Sequence, residues 1–198
     1  MPGRKVATRP RKLPRAVVLI GFMGAGKTSV GSALARQLGW VFEDLDDRIE
    51  RHEQRKVHEI FRDSGEAGFR RAEHSALKEV LSELRGGAER ILALGGGAFV
   101  QVHNASLIRA AGVPTVFLDA GIEELWRRCR RQAEQHGVER PLLGSLEHFH
   151  QLYKARRPHY LRASLSLETG GKTVKRIAAE VVQTLGLDRR GGSRGEKQ

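Results

Sequence analysis

A glycine-rich segment at residues 21–28 constrains the fold of this chain more than any other feature. It has the sequence Gly-Phe-Met-Gly-Ala-Gly-Lys-Thr and matches the pattern G-x-x-x-x-G-K-S/T at every fixed position. An apolar run at 16–20 precedes it, and residues 27–38 carry apolar side chains at helical spacing. A strand, a glycine loop and a helix in this order predict a loop that binds nucleotide phosphates through its backbone N–H groups. Lys27 would then reach the β- and γ-phosphates, and the Thr28 hydroxyl would face Mg²⁺.

The rest of residues 16–188 alternates short apolar runs with segments of helical periodicity. Strands are predicted at 16–20, 40–42, 91–94, 115–118 and 164–167. Helices are predicted at 27–38, 45–62, 66–84, 104–110, 122–132, 146–161 and 173–185. Asn104 is the predicted N-cap of the helix that ends at Ala110. This alternation predicts an α/β fold, in which a parallel sheet carries helices on both faces.

Length and composition are those of an ordinary single-domain protein. The 198 residues suffice for one domain with its own apolar core. Cys129 is the only cysteine, which excludes an intramolecular disulfide and a metal site built from several cysteines. No apolar run of about 18 residues occurs, so we predict no membrane span. We expect a cytoplasmic protein that is a monomer.

The net charge of +12 is concentrated at the two ends of the chain. Residues 1–15 carry six basic side chains and no acid, and residues 189–198 contribute a further three net positive charges. Both segments lack apolar periodicity, so we predict a disordered basic arm and a disordered tail around one domain at 16–188. Such tails can contact nucleic acid or acidic partners, but a purely solvated tail explains the charge equally well.

Four acids follow the second predicted strand: Glu43, Asp44, Asp46 and Asp47. Carboxylates just beyond a strand that neighbours a phosphate loop face the γ-phosphate of a bound nucleotide. One of them can hold Mg²⁺ through water, and another can orient a substrate hydroxyl or accept its proton. Alternatively, all four form the acidic first turn of a helix, which is the expected role of Glu43 and Asp47.

Two further motifs have both a structural and a functional interpretation. Arg70 and Glu73 have the spacing of an ion pair on a helix surface, and Arg71 would suit a structural pair equally well. Alternatively, an arginine here binds a substrate carboxylate while Glu73 holds its guanidinium in place. The three glycines at 95–97 form either a simple turn or a backbone that a ligand can approach closely.

Arginines also mark the second half of the chain. A polar, charged stretch runs from Arg130 to His136, and we predict a mobile lid at about 130–143 that carries Arg140 towards the phosphates. Arg156 lies in a second cluster, Arg-Arg-Pro-His-Tyr at 156–160, which alone would be a solvated helix end. The segment Gly-Gly-Lys-Thr at 170–173 is only a fragment of the phosphate-loop pattern, and we interpret it as a turn.

Taken in order, these motifs resemble those of shikimate kinases over residues 16–185. The marks are the phosphate loop, Asp-Leu-Asp at 44–46, Phe-Arg-Arg-x-Glu at 69–73, the glycines at 95–97, Arg-Pro-Leu-Leu at 140–143 and Arg-x-Pro-x-Tyr at 156–160. The resemblance implies a three-layer fold of the nucleoside-monophosphate-kinase type, with a five-stranded parallel sheet, a helical substrate-binding segment and a lid. It also implies that ATP and Mg²⁺ are used to phosphorylate the 3-hydroxyl of shikimate, a step of aromatic amino-acid biosynthesis.

The resemblance assigns roles residue by residue. The ATP contacts would be Gly24, Ala25, Gly26, Lys27, Thr28, Ser29, Arg128, Arg140 and Lys172. The shikimate contacts would be Asp46, Arg70, Gly96, Gly97 and Arg156. Thr28 would ligate Mg²⁺ with help from Asp44. Lys27, Asp46 and Arg140 would take part in catalysis, Asp46 as the candidate base. The stretch from Arg128 to Arg140 is longer than is typical of the family, and the basic arm is additional.

Two rival functions differ in their requirements. Another small-molecule kinase of the same fold, such as a gluconate kinase, would share the phosphate loop but would not need two arginines for a carboxylate. A nucleic-acid-binding protein with a vestigial kinase site would explain the basic arm. We expect no specific nucleic-acid partner, because the domain lacks a basic helix interleaved with exposed aromatic residues.

Overall fold

A five-stranded parallel sheet forms the centre of the protein in a computed structural model, which describes residues 14–136 and 145–187. The strands are β1 (Ala16–Ile20), β2 (Val41–Asp44), β3 (Arg90–Ala93), β4 (Thr115–Asp119) and β5 (Leu165–Glu168). Their order is β2-β3-β1-β4-β5, and all four pairings are parallel. The expectation of a five-stranded parallel sheet is confirmed, and each strand lies within two residues of its predicted ends.

Seven α-helices connect and flank these strands in the described part of the chain. They are α1 (Lys27–Leu38), α2 (Leu45–Glu53), α3 (Val57–Arg85), α4 (Val102–Ala110), α5 (Ile122–His136), α6 (Leu146–Tyr160) and α7 (Val174–Leu185). A short 3₁₀ helix, Ala98–Val100, precedes α4. None of the described helices is both long and apolar enough to cross a membrane.

The strand order determines how the helices are distributed over the two faces of the sheet. From β1 the chain moves to one edge of the sheet through α1, and every later crossover moves in the opposite direction. Because such crossovers are right-handed, α1 lies on one face and the helices of the later crossovers lie on the other. The contacts agree, since α1 packs against α7 whereas α2 contacts α3 and α5 contacts α6. The fold therefore has the expected three layers.

The core is densest around the central strand. All five residues of β1 are buried, whereas the edge strands β2 and β5 keep exposed or half-buried side chains. The connection after β1 leads towards one edge of the sheet, whereas the connections after its two neighbours, β3 and β4, lead towards the other edge. In open parallel sheets, ligands bind beyond the carboxyl ends of the strands at such a point. The segments that follow β1, β2 and β3 meet there.

Four local predictions were wrong. The helix predicted at 45–62 is divided, because α2 ends at Glu53 and its cap residue, Gln54, adopts a left-handed conformation. Asn104 does not cap α4, which begins at Val102 after the cap residue Gln101. Residues 130–136, predicted as the start of a lid loop, are the last turns of α5. Glu43 lies in β2 rather than in the first turn of a helix.

Candidate active site

The glycine loop between β1 and α1 is held by close backbone packing. Gly21 adopts a φ of 149°, and a Cβ on it would lie 2.8 Å from the carbonyl oxygen of Leu118 at the end of β4. Gly24 has a φ of 78°, and a Cβ there would lie 2.7 Å from the carbonyl oxygen of Leu125 in α5. Gly26 caps α1 with a φ of 88°. Glycine is required at the first two positions because both the conformation and the space exclude a side chain.

Lys27 is the first residue of α1, and its side chain turns back over the loop. Its Nζ donates to the carbonyl oxygens of Gly21 at 3.0 Å and Phe22 at 3.2 Å. The ammonium group therefore lies within the curve of the loop, beside the N-terminus of α1. The loop, its lysine and the helix dipole together form a cationic site suited to phosphate groups.

Thr28 and Asp44 bring a hydroxyl and a carboxylate together at the end of β2. The Thr28 hydroxyl donates to Oδ2 of Asp44 at 3.4 Å, and Oδ1 of Asp44 accepts from the backbone N–H of Asp46 at 3.1 Å. Burial raises the pKa of Asp44 above its usual value. Oxygen donors of this kind suit Mg²⁺, which commonly takes one or two protein ligands and completes its shell with phosphate and water. The described residues contain no cluster of three or more metal-binding side chains.

Asp46 lies in the first turn of α2, against the backbone of the glycine turn after β3. A Cβ on Gly95 would lie 2.8 Å from Oδ1 of Asp46, so this glycine leaves the room that the carboxylate occupies. Within the described part of the chain, that buried oxygen has no hydrogen-bond partner. Burial, together with the negative charges of Asp44 and Glu73, raises the pKa of Asp46 to about 6. An unsatisfied buried carboxylate is a group poised to accept a proton or a hydroxyl hydrogen bond.

Arg70 is held by two glutamates of its own helix, α3. Its Nη1 donates to both carboxylate oxygens of Glu73 at 3.0 and 3.1 Å, and its Nε and Nη2 contact Glu66 at 3.3 and 3.2 Å. Glu73 is only 1% exposed, and burial raises its pKa although Arg70 opposes the shift. A Cβ on Gly97 would lie 2.6 Å from Nη2 of Arg70. The guanidinium is therefore fixed directly against the glycine turn.

Arg156 approaches the same turn from α6. A Cβ on Gly96 would lie 3.3 Å from its Nη1, and its Cζ lies 5.9 Å from the centroid of the Phe22 ring. The hydroxyl of Tyr160, one helical turn further on, donates to the carbonyl oxygen of Gly96. Burial raises the pKa of Tyr160 to about 12, so this hydroxyl remains a donor. Arg70 and Arg156 thus flank one short turn. The positive charge of each opposes the rise in the pKa of Glu73 that burial causes.

A separate cleft opens on the other side of the glycine loop. It has a volume of about 420 Å³, and Arg128 and Lys172 line it together with Gly24, Ala25, Gly26 and Ser29. Arg128 donates to Glu124 at 2.8 Å and to the carbonyl oxygen of Thr169 at 3.3 Å. Lys172 pairs with Glu180 at 2.7 Å. The two most distant predicted ATP contacts therefore meet at one cleft beside the loop, and residues 170 and 171 form a turn as predicted.

Some predicted residues lie elsewhere. Arg140 is outside the described residues, as is the rest of the predicted lid from 137 to 143. Glu43 takes no part in the site, since it pairs with Arg48, Arg51 and Arg90 on the edge of the sheet. Asp47 is exposed in the first turn of α2, as expected.

A family model described as "Shikimate kinase" matches residues 23–186. The chain belongs to the shikimate kinase family. A shikimate kinase from Cereibacter sphaeroides is 42% identical over 186 residues, which cover 92% of this chain and 87% of that protein. The structure of shikimate kinase from Acinetobacter baumannii in complex with shikimate superposes with a TM-score of 0.76 at 32% identity, covering 87% of this chain and 93% of that one.

Membership of the shikimate kinase family confirms the predictions of family, fold and kinase activity. The protein is an enzyme of the phosphotransferase class, and such enzymes act with a divalent metal ion. A gluconokinase from Sinorhizobium meliloti matches 89% of this chain and 94% of its own, with a TM-score of 0.55 and 18% identity. That likeness shows the fold alone.

The sequence indicated no functional role for three residues near the shikimate kinase motifs. Phe22 lies inside the phosphate-loop pattern, where any residue is allowed, yet its ring supports Arg156. The sequence places Gly95 in the turn, but it does not show that Asp46 lies against it. That proximity arises because β2 and β3, which precede the two residues, are neighbours in the sheet. Asn104 was predicted as a cap, and the structure places it in the interior of α4, fully buried. A polar, poor helix former inside a helix was the available signal for that last residue.

Proposed function

We propose that the protein transfers the γ-phosphoryl group of ATP to the 3-hydroxyl of shikimate, giving shikimate 3-phosphate and ADP in aromatic amino-acid biosynthesis. One observation carries the proposal: Arg70 and Arg156 meet at the glycine turn of residues 95–97, with the carboxylate of Asp46 against the same turn. Two cations and one acid beside a phosphate loop suit an acceptor that carries both a carboxylate and hydroxyls.

The shikimate carboxylate would be bound by the two guanidinium groups. Glu66 and Glu73 pre-orient Arg70, and Phe22 supports Arg156, so neither side chain needs to be ordered when substrate binds. Planar guanidinium groups bind carboxylates through two parallel hydrogen bonds, which lysine cannot do. Gly96 and Gly97 would leave space for the ring of the acceptor and offer backbone groups to its hydroxyls.

Asp46 would receive the acceptor hydroxyl. Its buried oxygen without a partner is satisfied when a hydroxyl donates to it, so binding removes an unfavourable feature of the free enzyme. Phosphoryl transfer passes through a loose transition state that depends mainly on positioning and charge neutralisation. We therefore assign Asp46 the orientation of the hydroxyl first and the acceptance of its proton as the transfer completes.

The phosphate side would be formed by the loop, Lys27, Thr28 and Asp44. Lys27 would exchange its two carbonyl partners for the β- and γ-phosphates. Mg²⁺ would be held by the Thr28 hydroxyl with help from Asp44, and when bound it neutralises charge on the phosphates. The cleft that Arg128 and Lys172 line would take the nucleoside end of ATP. Arg140 would add positive charge near the transferred group.

The experiment that tests this function measures ADP release from MgATP with a panel of acceptors. Shikimate should support turnover, whereas gluconate and nucleoside monophosphates should not. Nuclear magnetic resonance of the product should place the phosphate on the 3-hydroxyl. Lys27→Ala is the control against a contaminating kinase, since removing this ammonium should abolish turnover in a folded protein. Turnover with gluconate at the rate seen with shikimate would overturn the assignment.

A further inference from the structure

The side chain of Asn104 joins two parts of the acceptor site that come from distant points in the sequence. It lies on α4, is 0% exposed and is the only asparagine in the chain. Its Nδ2 donates to the carbonyl oxygen of Ala98 at 3.2 Å and contacts Oε2 of Glu73 at 3.5 Å. Its Oδ1 lies 2.8 Å from Nδ1 of His74. The amide therefore uses both of its ends, in a network whose Asn104 and Glu73 side chains are buried and whose His74 is half-buried.

The partners of Asn104 allow only one orientation of the amide. Exchanging its oxygen and nitrogen would point the oxygen at a carbonyl oxygen and at a carboxylate, which are both acceptors. With the oxygen towards His74, the Nδ1 atom of that ring must carry a hydrogen and donate it. The amide is thus fixed by three groups that belong to two separate segments of the chain: Glu73 and His74 of α3, and Ala98 after the glycine turn.

The two groups that accept hydrogen bonds from the Asn104 amide both lie next to elements of the proposed shikimate site. Ala98 follows Gly97 directly and opens the 3₁₀ helix, so its carbonyl group moves with the glycine turn. Glu73 holds the guanidinium of Arg70 through both of its oxygens. Asn104 therefore lies between the turn that faces the acceptor and the carboxylate that orients its arginine.

We propose that Asn104 is a positioning residue, which fixes the distance between the glycine turn and the Arg70–Glu73 pair and so sets the affinity for the acceptor carboxylate. The inference rests on the proposed function, because it gives Arg70 that carboxylate as its ligand. Asn104 touches neither ATP contacts nor Asp46 in the structure; its effect passes through Glu73 and the turn. Its loss should therefore weaken acceptor binding while the nucleotide side is unchanged.

Two variants of Asn104 separate this role from simple structural support. Asn104→Asp keeps the shape and the acceptor for His74, but replaces the N–H donors with a carboxylate against Glu73. Asn104→Ala removes the network without adding charge. A matched control is Ile108→Ala, one helical turn further along α4 and also buried, which creates a cavity without removing a hydrogen bond.

The measurements are the KM values for shikimate and ATP, kcat, and the thermal midpoint of each variant. Both Asn104 variants should raise the shikimate KM by about tenfold, the effect of losing a hydrogen bond to a charged group, and leave the ATP KM within about twofold. Ile108→Ala should lower the thermal midpoint and leave both KM values near those of the wild type. Equal shikimate KM values for the Asn104 variants and the control would overturn the proposal.

Arg70→Lys in the same assay distinguishes a failure of the role of Asn104 from a failure of the proposed carboxylate site. If Arg70→Lys raises the shikimate KM and folded Asn104 variants do not, only the role of Asn104 is refuted. If Arg70→Lys leaves the shikimate KM unchanged, the carboxylate site fails, and the role of Asn104 fails with it. Should Asn104→Asp not fold, Asn104→Ala decides the question by the same comparison.

Discussion

Asp46 shows at the scale of a single residue how function opposes stability. Burial and the neighbouring carboxylates of Asp44, Glu73 and Asp47 disfavour the charged form and raise the pKa of Asp46 from an ordinary 3.8 to about 6. The folded protein consequently binds a proton at this site more tightly than the unfolded chain does. The stabilising contribution is complete below about pH 4 and is lost as the pH rises through about 6. At neutral pH the fold holds a charge that it would be more stable without.

Replacing Asp46 with asparagine should therefore separate stability from activity. Asp46→Asn removes the buried charge and should raise the free energy of unfolding at pH 7.5 by on the order of 1 kcal/mol. The same change should lower kcat by roughly a hundredfold, because the proton acceptor is lost. Urea denaturation and steady-state rates measure the two effects. Asp47→Asn, an exposed neighbour, is the control and should change both quantities far less, because its charge is the weakest of those that raise the pKa of Asp46. Wild-type turnover in Asp46→Asn would contradict the assignment.

The pH dependence of the reaction should report the same group. Protonation of Asp46 removes the acceptor of the hydroxyl proton, so kcat/KM for shikimate should fall as the pH is lowered through about 6. The slope should approach a tenfold loss per pH unit below that value, as expected for one essential base. In Asp46→Asn the residual activity should lack this acidic limb. An unchanged limb in that variant would assign the titration to another residue.

The two arginines of the acceptor site should not tolerate lysine. Arg70→Lys and Arg156→Lys keep the charge but lose the planar pair of donors, so each should reduce kcat/KM for shikimate by about tenfold to a hundredfold. The ATP KM should change little, because both residues lie on the acceptor side. Arg71→Lys, the exposed neighbour of Arg70, is the matched control. Equal shikimate parameters for all three variants would indicate an acceptor without a carboxylate.

At the scale of a secondary-structure element, helix α3 matters because it is not continuous. Gly65 interrupts it with a φ of 65° and a ψ of −178°, a conformation essentially restricted to glycine. The part before the break carries Phe61, which stacks on Phe69 with ring centroids 4.5 Å apart, and the part after it carries Arg70. The break therefore sets how the beginning of the helix packs on Phe69, the residue directly before Arg70.

Gly65→Ala should disturb this arrangement in a measurable way. A Cβ at Gly65 would meet no atom within 4 Å, so the effect is one of backbone strain, which costs about 1–3 kcal/mol. We expect a lower thermal midpoint together with a raised shikimate KM. Gly39→Ala is the matched control, since Gly39 also has a positive φ, 69°, and open space but caps α1 away from the acceptor site. A raised shikimate KM in both variants would mean that general destabilisation is responsible.

At the scale of the whole molecule, most of the net charge lies outside the part of the chain that forms the site. The described residues, which start at Pro14, contain all five strands of the sheet. Arg15, the last residue of the predicted basic arm, is bound to the sheet just before β1, because its carbonyl oxygen accepts from the N–H of Arg90 at 3.1 Å. Its side chain pairs with Glu89 at 3.6 Å. That the protein is a monomer and lies in the cytoplasm stays a prediction.

Deleting residues 1–13 should consequently leave the reaction unchanged. The truncated protein keeps β1 and Arg15, so kcat and both KM values should stay within about twofold of the full chain. The full chain should bind nucleic acid more tightly than the truncated protein at low salt, and the difference should vanish as the salt concentration rises. A large fall in turnover for a well-folded truncation would show that the arm takes part in catalysis or assembly.

The sequence alone determined the features that depend on local backbone preference. Glycines at fixed spacing, an apolar strand before them and a periodic helix after them specify the phosphate loop. Alternating strands and helices specify the parallel sheet. Each of these elements can be predicted because its apolar pattern lies within a window of about ten residues. Motif order then identified the family, and Glu73 emerged as the partner of Arg70 since they are one helical turn apart.

Only the tertiary structure decided which polar residues become functional neighbours. Of four acids in five positions, Asp46 alone lies against Gly95, whereas Glu43 joins arginines at the sheet edge. Asn104 has the local signature of a helix cap, yet it is buried between Glu73 and Ala98. The physical reason is that desolvation and hydrogen bonding between distant segments depend on how strands are ordered in the sheet. Those energies outweigh the small local preferences that a sequence pattern records.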